Sequence, residues 1–163
     1  MNTSQIKNFA VQSRQVLKTG VLNRIIALGF DIDGNVATER PVKIQGGSIF
    51  MGQLREEGFY DAWVALEHRI KVHGVKEACE EAAYTWFNRF IALRFMEVNN
   101  YLPSHMRVFT DINGKFNPEI IKEALNLDFE SIDRNRVADL INDSNKEELY
   151  RYLLPVQCNE LNK

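Results

Sequence analysis

Cysteine is scarce in this 163-residue chain, which contains only Cys79 and Cys158. The two lie far apart and neither belongs to a Cys-x-x-Cys pair, so the spacing argues against a disulfide framework and against a zinc site. Histidine adds no ligand set, because His68 and His73 are five positions apart and point to different sides of a helix. We therefore expect two reduced thiols and no bound metal.

Long apolar runs are also absent. No segment approaches the roughly 20 consecutive apolar residues of a membrane-spanning helix, and the first residues lack the apolar core of a signal peptide. The sequence therefore predicts a cytoplasmic protein without a membrane partner. Disorder is not indicated, since 45% of the residues are hydrophobic, which is ample for one core at this length.

Acidic residues are missing from the first 30 positions, which contain Lys7, Arg14, Lys18 and Arg24. Lys7, Arg14 and Lys18 lie within about 40° of one another on a helical wheel. Aligned cations of this kind release counterions from DNA, so the three are candidate contacts to the backbone of duplex DNA. A solvated helix face produces the same stripe, and that alternative stays open.

Glycine and proline are few, and the one glycine-rich part of the chain is residues 30–53, which contain four of the nine glycines. Elsewhere apolar residues recur every three or four positions, which is helical spacing. The spacing and the capping signals predict helices over 4–28, 54–73, 75–98, 117–125 and 134–141, and a last one from 144 or 145. Asn117 is the expected cap of the fourth helix, a break of the first helix at Gly20 stays open, and the last helix is expected to be broken or kinked near Pro155. The predicted fold class is mainly α: a five- to six-helix single domain over residues 1–163, with a glycine-rich β-like loop or small hairpin at about 30–53.

The helix predicted over residues 75–98 has the strongest apolar pattern. Beyond Trp86 it is apolar nearly all round, which is typical of a helix that is buried on every side. We therefore expect it to form the buried centre of the fold, with Trp86, Phe87, Phe90 and Ile91 almost fully buried.

Residues 30–35 read Phe-Asp-Ile-Asp-Gly-Asn and follow an apolar run. An apolar strand followed by Asp-x-Asp-Gly resembles the start of the active site in haloacid-dehalogenase-like phosphatases, which makes a Mg²⁺-dependent phosphatase using Asp31 and Asp33 one alternative function. That fold alternates strands and helices around a parallel sheet, whereas the run before Phe30 belongs to a helical stripe. We interpret the segment as a turn after the first helix, where Asp and Gly are favoured.

The segment AYTWFNRFIALRFMEVNNYLP, residues 83–103, resembles the N-terminal helical region of PglX. The PglX family comprises the large adenine-specific DNA methyltransferases of bacteriophage-exclusion (BREX) systems. Its aromatic-rich Asn-Arg-x-x-Ala-Leu-Arg-Phe-Met-Glu helix is matched here from Asn88 to Glu97. The opening MNTSQIKNFAVQSRQVL and the closing LYRYLLPVQCNELNK are also similar to that region, so the resemblance spans the chain.

The resemblance implies a parent protein that transfers a methyl group from S-adenosylmethionine to adenine N6 in DNA. Such enzymes use a glycine-rich cofactor loop and an Asn/Asp-Pro-Pro-Tyr/Phe motif that holds a flipped adenine. This sequence has neither, because its four prolines are isolated and Gly46-Gly47 stands alone. We therefore expect no catalytic residue and no cofactor in these residues, and an N-terminal scaffold or docking domain without the catalytic domain.

Three partners follow from the resemblance: the methyltransferase domain of the parent chain, duplex DNA, and other phage-defence subunits. A pure protein-interaction module that never contacts DNA is a second alternative function. Four polar residues of the matched helix are candidate buried or interface positions, namely Asn88, Arg89, Arg94 and Glu97. Arg94 and Glu97 fall within the apolar stripe, where an unpaired charge is costly, so we expect the two to be paired and poorly accessible.

Overall fold

A computed structural model describes residues 3–161 of the chain. The chain forms two compact units, Met1–Phe87 and Asn88–Lys163. The described part is mainly helical with one small sheet, which confirms the predicted fold class. Its α-helices are α1 Thr3–Ala27, α2 Phe59–Val98, α3 Glu119–Lys122, α4 Arg134–Asn142 and α5 Lys146–Glu160, with a 3₁₀ turn at Ala124–Asn126. The expectation of a single domain over residues 1–163 stays a prediction.

Helix α1 continues across Gly20, where the sequence had left a break open. One glycine costs a helix only about 1 kcal/mol, and the rest of α1 is long enough to absorb it. The helix ends before Gly29, which has φ +90 and so adopts the left-handed conformation typical of a helix stop. The apolar run before Phe30 is thus part of a helix, as the sequence predicted.

The glycine-rich segment contains a three-stranded antiparallel sheet of β1 Val42–Ile44, β2 Gly47–Phe50 and β3 Gln53–Arg55, in the order β1-β2-β3. One face buries Ser48 and Phe50 against the rest of the first unit. The sheet extends two residues past the range expected for it, because Leu54 and Arg55 pair with β2. Helix α2 consequently begins at Phe59 rather than at Leu54.

The β2–β3 turn consists of Met51 and Gly52, with φ values of 50 and 70. Positive φ at both central residues defines a type I′ turn, in which Asn is favoured over methionine at the first position. Met51 is 49% exposed, so its side chain contributes little packing. We predict that Met51→Asn raises the free energy of unfolding by about 0.5 to 1 kcal/mol in urea titrations.

Met51→Ala is the matched control for this turn, because it removes the same side chain but keeps a residue that disfavours positive φ. We expect no gain in stability from it. Equal effects of asparagine and alanine would contradict the assignment of strain to the backbone of Met51.

Helix α2 is divided at Gly74, which has φ 81 and ψ 159. The predicted boundary between two helices is therefore confirmed. The core of the first unit lies around this helix and comprises Ile25, Phe30, Phe50, Trp63, Ile70, Val75, Ala78 and Cys79. Trp63 stacks on Phe30 with 4.9 Å between ring centroids and donates a hydrogen bond to the carbonyl oxygen of Leu28 at 2.8 Å. These contacts fix the end of α1 against α2.

In the second unit, α4 begins at Arg134 as predicted, and α5 begins at Lys146, one residue after the predicted range. Asp133 caps α4 and Asn145 caps α5 through side-chain oxygens that accept backbone N–H groups. The expected cap at Asn117 is wrong: Pro118 takes the cap position of α3, and no side chain caps this helix. Pro155, expected to break or kink the final helix, lies inside α5, which continues to Glu160.

The expected burial of residues 86 to 91 is wrong. Trp86, Phe87 and Phe90 are only half-buried, and Ile91 is 46% exposed. One side of the helix does carry fully buried residues, among them Leu93 and Glu97. A helix with apolar residues on every side is therefore not buried on every side in this chain. Part of the apolar surface of α2 faces solvent.

Candidate functional site

The Asp31 loop is a self-contained turn. One carboxylate oxygen of Asp31 accepts hydrogen bonds from the backbone N–H groups of Asp33 at 2.9 Å and Asn35 at 2.8 Å, and the other accepts one from the Asn35 side chain at 3.0 Å. The Asn35 hydrogen bonds lower the pKa of Asp31. Gly34 supplies the positive φ of +89 that closes the loop. Both oxygens of the would-be nucleophile thus hold the turn together, as the turn interpretation predicted.

The same loop occurs a second time, in the second unit. Asp111 accepts hydrogen bonds from the backbone N–H groups of Asn113 at 2.9 Å and Lys115 at 3.0 Å, and Gly114 has φ +76. Sequence reasoning missed this repeat. The signal was available in the letters, because Asp-Ile-Asp-Gly-Asn and Asp-Ile-Asn-Gly-Lys differ only between polar residues at the third and fifth positions.

Isolated antiparallel bridges close both loops, between Phe30 and Val36 and between Thr110 and Phe116. Each loop exposes one isoleucine at its tip, Ile32 at 70% and Ile112 at 80%. The two loops are therefore the same turn motif, which occurs once in each unit.

The phosphatase alternative is not favoured by this architecture. Residues 3–161 contain one three-stranded antiparallel sheet and no parallel sheet on which phosphatase motifs could gather. Over the same residues, no three His, Cys, Asp or Glu side chains lie together as metal ligands. The hypothesis of catalysis by Asp31 and Asp33 is therefore dropped.

Glu97 is the centre of a buried polar cluster in the second unit. Its side chain is fully buried, and its carboxylate accepts hydrogen bonds from the backbone N–H groups of Val108 at 2.8 Å and Phe109 at 2.7 Å and from the Thr110 hydroxyl at 2.7 Å. Arg94 forms an ion pair with it. Burial alone would raise the pKa of Glu97, but these donors together lower it. The cluster ties α2 to the segment that leads into the Asp111 loop.

The expected pairing of Arg94 with Glu97 is confirmed, but the expected burial of Arg94 is wrong. The Arg94 side chain is 45% exposed and also donates to the Thr110 hydroxyl at 3.1 Å. A long arginine can reach a buried carboxylate while its stem stays at the surface. Of the other candidates, Asn88 is exposed and Arg89 is half-buried.

The basic stripe of α1 is partly engaged within the first unit. The Lys18 ammonium lies 2.8 Å from one Glu80 carboxylate oxygen, and an Arg14 guanidinium nitrogen lies 3.8 Å from the other. The hydrogen bond and charge of Lys18 lower the pKa of Glu80. Lys7 is exposed and has no ion pair within the described residues. Contact of these three with DNA phosphates stays a prediction.

An exposed apolar surface lies on the last turns of α2 and on the loop that follows this helix. It comprises Ile91, Phe95, Val98 and Tyr101, which are 46%, 58%, 53% and 62% exposed, and we call it the α2 stripe. The rings of Phe95 and Tyr101 meet edge to face, with 6.0 Å between centroids. Clustered exposed apolar side chains, aromatic ones above all, are typical of protein interfaces. No helix within residues 3–161 is long and apolar enough to cross a membrane.

Two curated proteins are similar to nearly the whole chain. One is the "Adenine-specific methyltransferase PglX" of Lacticaseibacillus casei (strain Zhang), which is 29% identical over 191 aligned positions. The other is the "Adenine-specific methyltransferase BrxX" of Escherichia coli O9:H4 (strain HS), which is 29% identical over 175 positions. No family profile matches the chain.

Each alignment covers 99% of this chain but only 15% and 14%, respectively, of the relative. The resemblance to PglX-type adenine-specific methyltransferases is thereby confirmed along the chain. The chain spans about one-seventh of the length of these relatives.

Proposed function

We propose that this chain is a non-catalytic docking domain of an S-adenosylmethionine-dependent DNA adenine-N6 methyltransferase in bacterial phage defence. The observation that carries the proposal is the α2 stripe. It lies within residues 83–103, the segment with the most specific resemblance to PglX, and it faces solvent. Its partner in this proposal is the methyltransferase domain, which the relatives' extra length can accommodate.

The non-catalytic part of the proposal rests on missing chemistry in the sequence. Methyl transfer to adenine N6 needs a site for the cofactor and a motif that holds the flipped base. The chain has isolated prolines and one Gly-Gly pair, and the carboxylates of both Asp loops are engaged by their own backbone. S-adenosylmethionine therefore belongs to the catalytic part of the parent protein and not to these residues.

The stripe is suited to docking on energetic grounds. Its side chains are about half exposed. Covering each of them with a partner removes apolar surface from water and contributes roughly 1 kcal/mol to the binding free energy. Phe95 and Tyr101 are held against each other before any partner arrives. Side chains that are already ordered lose less conformational freedom on binding, which favours affinity.

DNA backbone contact is a separate, weaker component of the proposal. Arg14 and Lys18 already interact with Glu80, so phosphate would compete with a carboxylate for two of the three cations. A pure protein-interaction module bound to other defence subunits would use the same stripe. The two protein partners differ in which polypeptide binds, and that difference can be measured.

The test is binding of the purified 163-residue chain to the separately purified methyltransferase domain of the parent protein, measured by isothermal titration calorimetry. We predict that Phe95→Asp weakens binding at least about tenfold, because it places a charge in a desolvated aromatic contact. The matched control is Ile112→Asp, which adds the same charge at another exposed apolar position of the second unit. It should leave the affinity unchanged.

Three outcomes would contradict the proposal. The first is transfer of tritiated methyl groups from S-adenosylmethionine to DNA by the chain alone, which would make it catalytic. The second is no binding of the methyltransferase domain, and the third is equal binding of that domain by wild type and Phe95→Asp.

A further inference from the structure

A second surface of the second unit has the character of a binding groove. It encloses about 350 Å³ and lies between α3, the 3₁₀ turn, α4 and the start of α5. Pro118 and Leu149 form a buried floor, and Leu125 and Ile141 form apolar walls that are 55% and 36% exposed. This groove is distinct from the α2 stripe and shares no residue with it.

The local structure explains why the groove is open. Helix α3 is a single turn, so it brings Ile121 and Lys122 to the groove and then stops. Helix α4 ends at Asn142, and the chain turns into α5 through Ser144, a non-glycine residue with φ 55. The end of α4 and the first turn of α5 both line the groove, through Ile141 and Lys146.

The charged side chains that line the groove are all positive. They are Lys122 and Lys146, and no acidic side chain lines the groove. Neither ammonium group forms an ion pair or side-chain hydrogen bond within residues 3–161, although the charge of Lys122 helps to lower the pKa of Asp111. The nearby Glu147 and Glu148 of α5 interact with Arg151 rather than with the two lysines. The first turn of α5 adds the partial positive charge of a helix N-terminus.

We propose that this groove binds an acidic amphipathic helix of a protein partner. Apolar side chains along one face of that helix would pack on Leu125, Ile141 and the floor, and its flanking carboxylates would meet Lys122 and Lys146. An apolar groove between helices is a common receptor for an amphipathic helix, whose anchors recur at three and four positions. Because both charged side chains at the groove are lysines, the groove favours an acidic helix over a basic one.

The probe is an acetylated and amidated helical peptide of about 16 residues, long enough to hold helical structure, with leucine along one face and glutamate and alanine elsewhere. A matched peptide carries lysine in place of every glutamate, and a third carries serine in place of every leucine. Binding to the isotopically labelled 163-residue chain is followed by backbone amide shifts in NMR titrations. We expect the leucine-glutamate peptide to shift amides within residues 117–149 and the other two to bind at least about tenfold more weakly.

Variants of the chain sharpen the test. The double variant Lys122→Glu with Lys146→Glu should bind the leucine-glutamate peptide about tenfold more weakly than wild type does. It should bind the lysine peptide more tightly, because two exposed ion pairs with the glutamate peptide become repulsive contacts. Lys115→Glu, at an exposed lysine outside the groove, should change affinity by less than about twofold. Far-ultraviolet circular dichroism checks that each variant is folded, and all three positions are exposed.

Several results would overturn the proposal. One is equal binding of the glutamate and lysine peptides by wild type, and another is a set of shifts outside residues 117–149. A third is binding of 8-anilinonaphthalene-1-sulfonate at the groove with no binding of the leucine-glutamate peptide, which would assign the groove to a small organic anion instead.

Discussion

Replacing Glu97 by alanine is expected to lower the free energy of unfolding by about 3 to 5 kcal/mol, the range typical of removing one partner of a buried charged cluster. The carboxylate satisfies two backbone N–H groups, of Val108 and Phe109, and the hydroxyl of Thr110. Alanine leaves these donors without acceptors in a site closed to water. The guanidinium of Arg94 loses its carboxylate at the same time.

Arg94→Ala is the matched control within the same cluster, and we expect it to cost far less, about 1 kcal/mol. The Arg94 side chain is 45% exposed, so its removal leaves no buried charge without hydrogen bonds. Glu97 keeps its three other donors. Equal losses from the two variants in urea titrations would contradict the view that Glu97 acts chiefly on the backbone of Val108 and Phe109.

The contribution of Glu97 should also depend on pH. Its pKa in the folded chain is below the ordinary value of 4.5, so the folded state favours the charged form. Stability from this group is therefore fully present above that value and is lost as pH falls through the lower, folded pKa. The stability difference between wild type and Glu97→Ala should shrink as unfolding is measured from pH 7 downward through that window. A difference that grows on acidification would contradict the direction of the shift.

Gly34→Ala is the second substitution for which we expect a large effect, a loss of about 2 to 5 kcal/mol. Gly34 has φ +89, a conformation that costs an L residue about 1 to 2 kcal/mol. A Cβ at this position would also lie 2.6 Å from Cγ2 of Ile70 and 3.2 Å from Cγ2 of Val75. Both belong to the core of the first unit, so neither side chain can yield without repacking it.

Gly114→Ala isolates the backbone part of this effect. Gly114 occupies the equivalent position of the second loop with φ +76, and a Cβ there would meet no atom within 4 Å. We expect a loss of about 1 to 2 kcal/mol, from conformational strain alone. The difference between the two variants then measures how tightly the Asp31 loop packs on α2. Equal losses on urea denaturation would show that this packing adds nothing.

Local sequence chemistry was sufficient for the elements whose cause is local. Gly29 and Gly74 interrupt helices because a residue without Cβ adopts positive φ easily, and both do so in the structure. The turn at Asp31 follows from side-chain to backbone hydrogen bonds that span at most four residues. The pairing of Arg94 with Glu97 follows from i, i+3 spacing on one helix. None of these required knowledge of distant contacts.

Contacts between distant residues decided the rest. Asn117 has the residue type of a helix cap, but its side chain lies near Asp111 and helps to lower the pKa of that carboxylate. Leu54 is the predicted start of a helix, but a strand partner at Ile49 places it in β3. Local propensity is worth at most about 1 kcal/mol per residue, so one tertiary or cross-strand contact can reverse it.

The candidate sites show the same division. By itself the sequence determined that residues 75–98 form an apolar helix with a charged pair near its end, because spacing and residue type depend only on the order of residues. It could not determine which apolar side chains are covered, since the periodicity of Ile91 and Phe95 is the same whether a neighbour packs on them or solvent does. Only the tertiary structure decided that Glu97 faces inward onto Val108, that the α2 stripe faces outward, and that Lys122 and Lys146 border one groove. Burial is a property of how elements pack, and packing joins residues that are far apart in the chain.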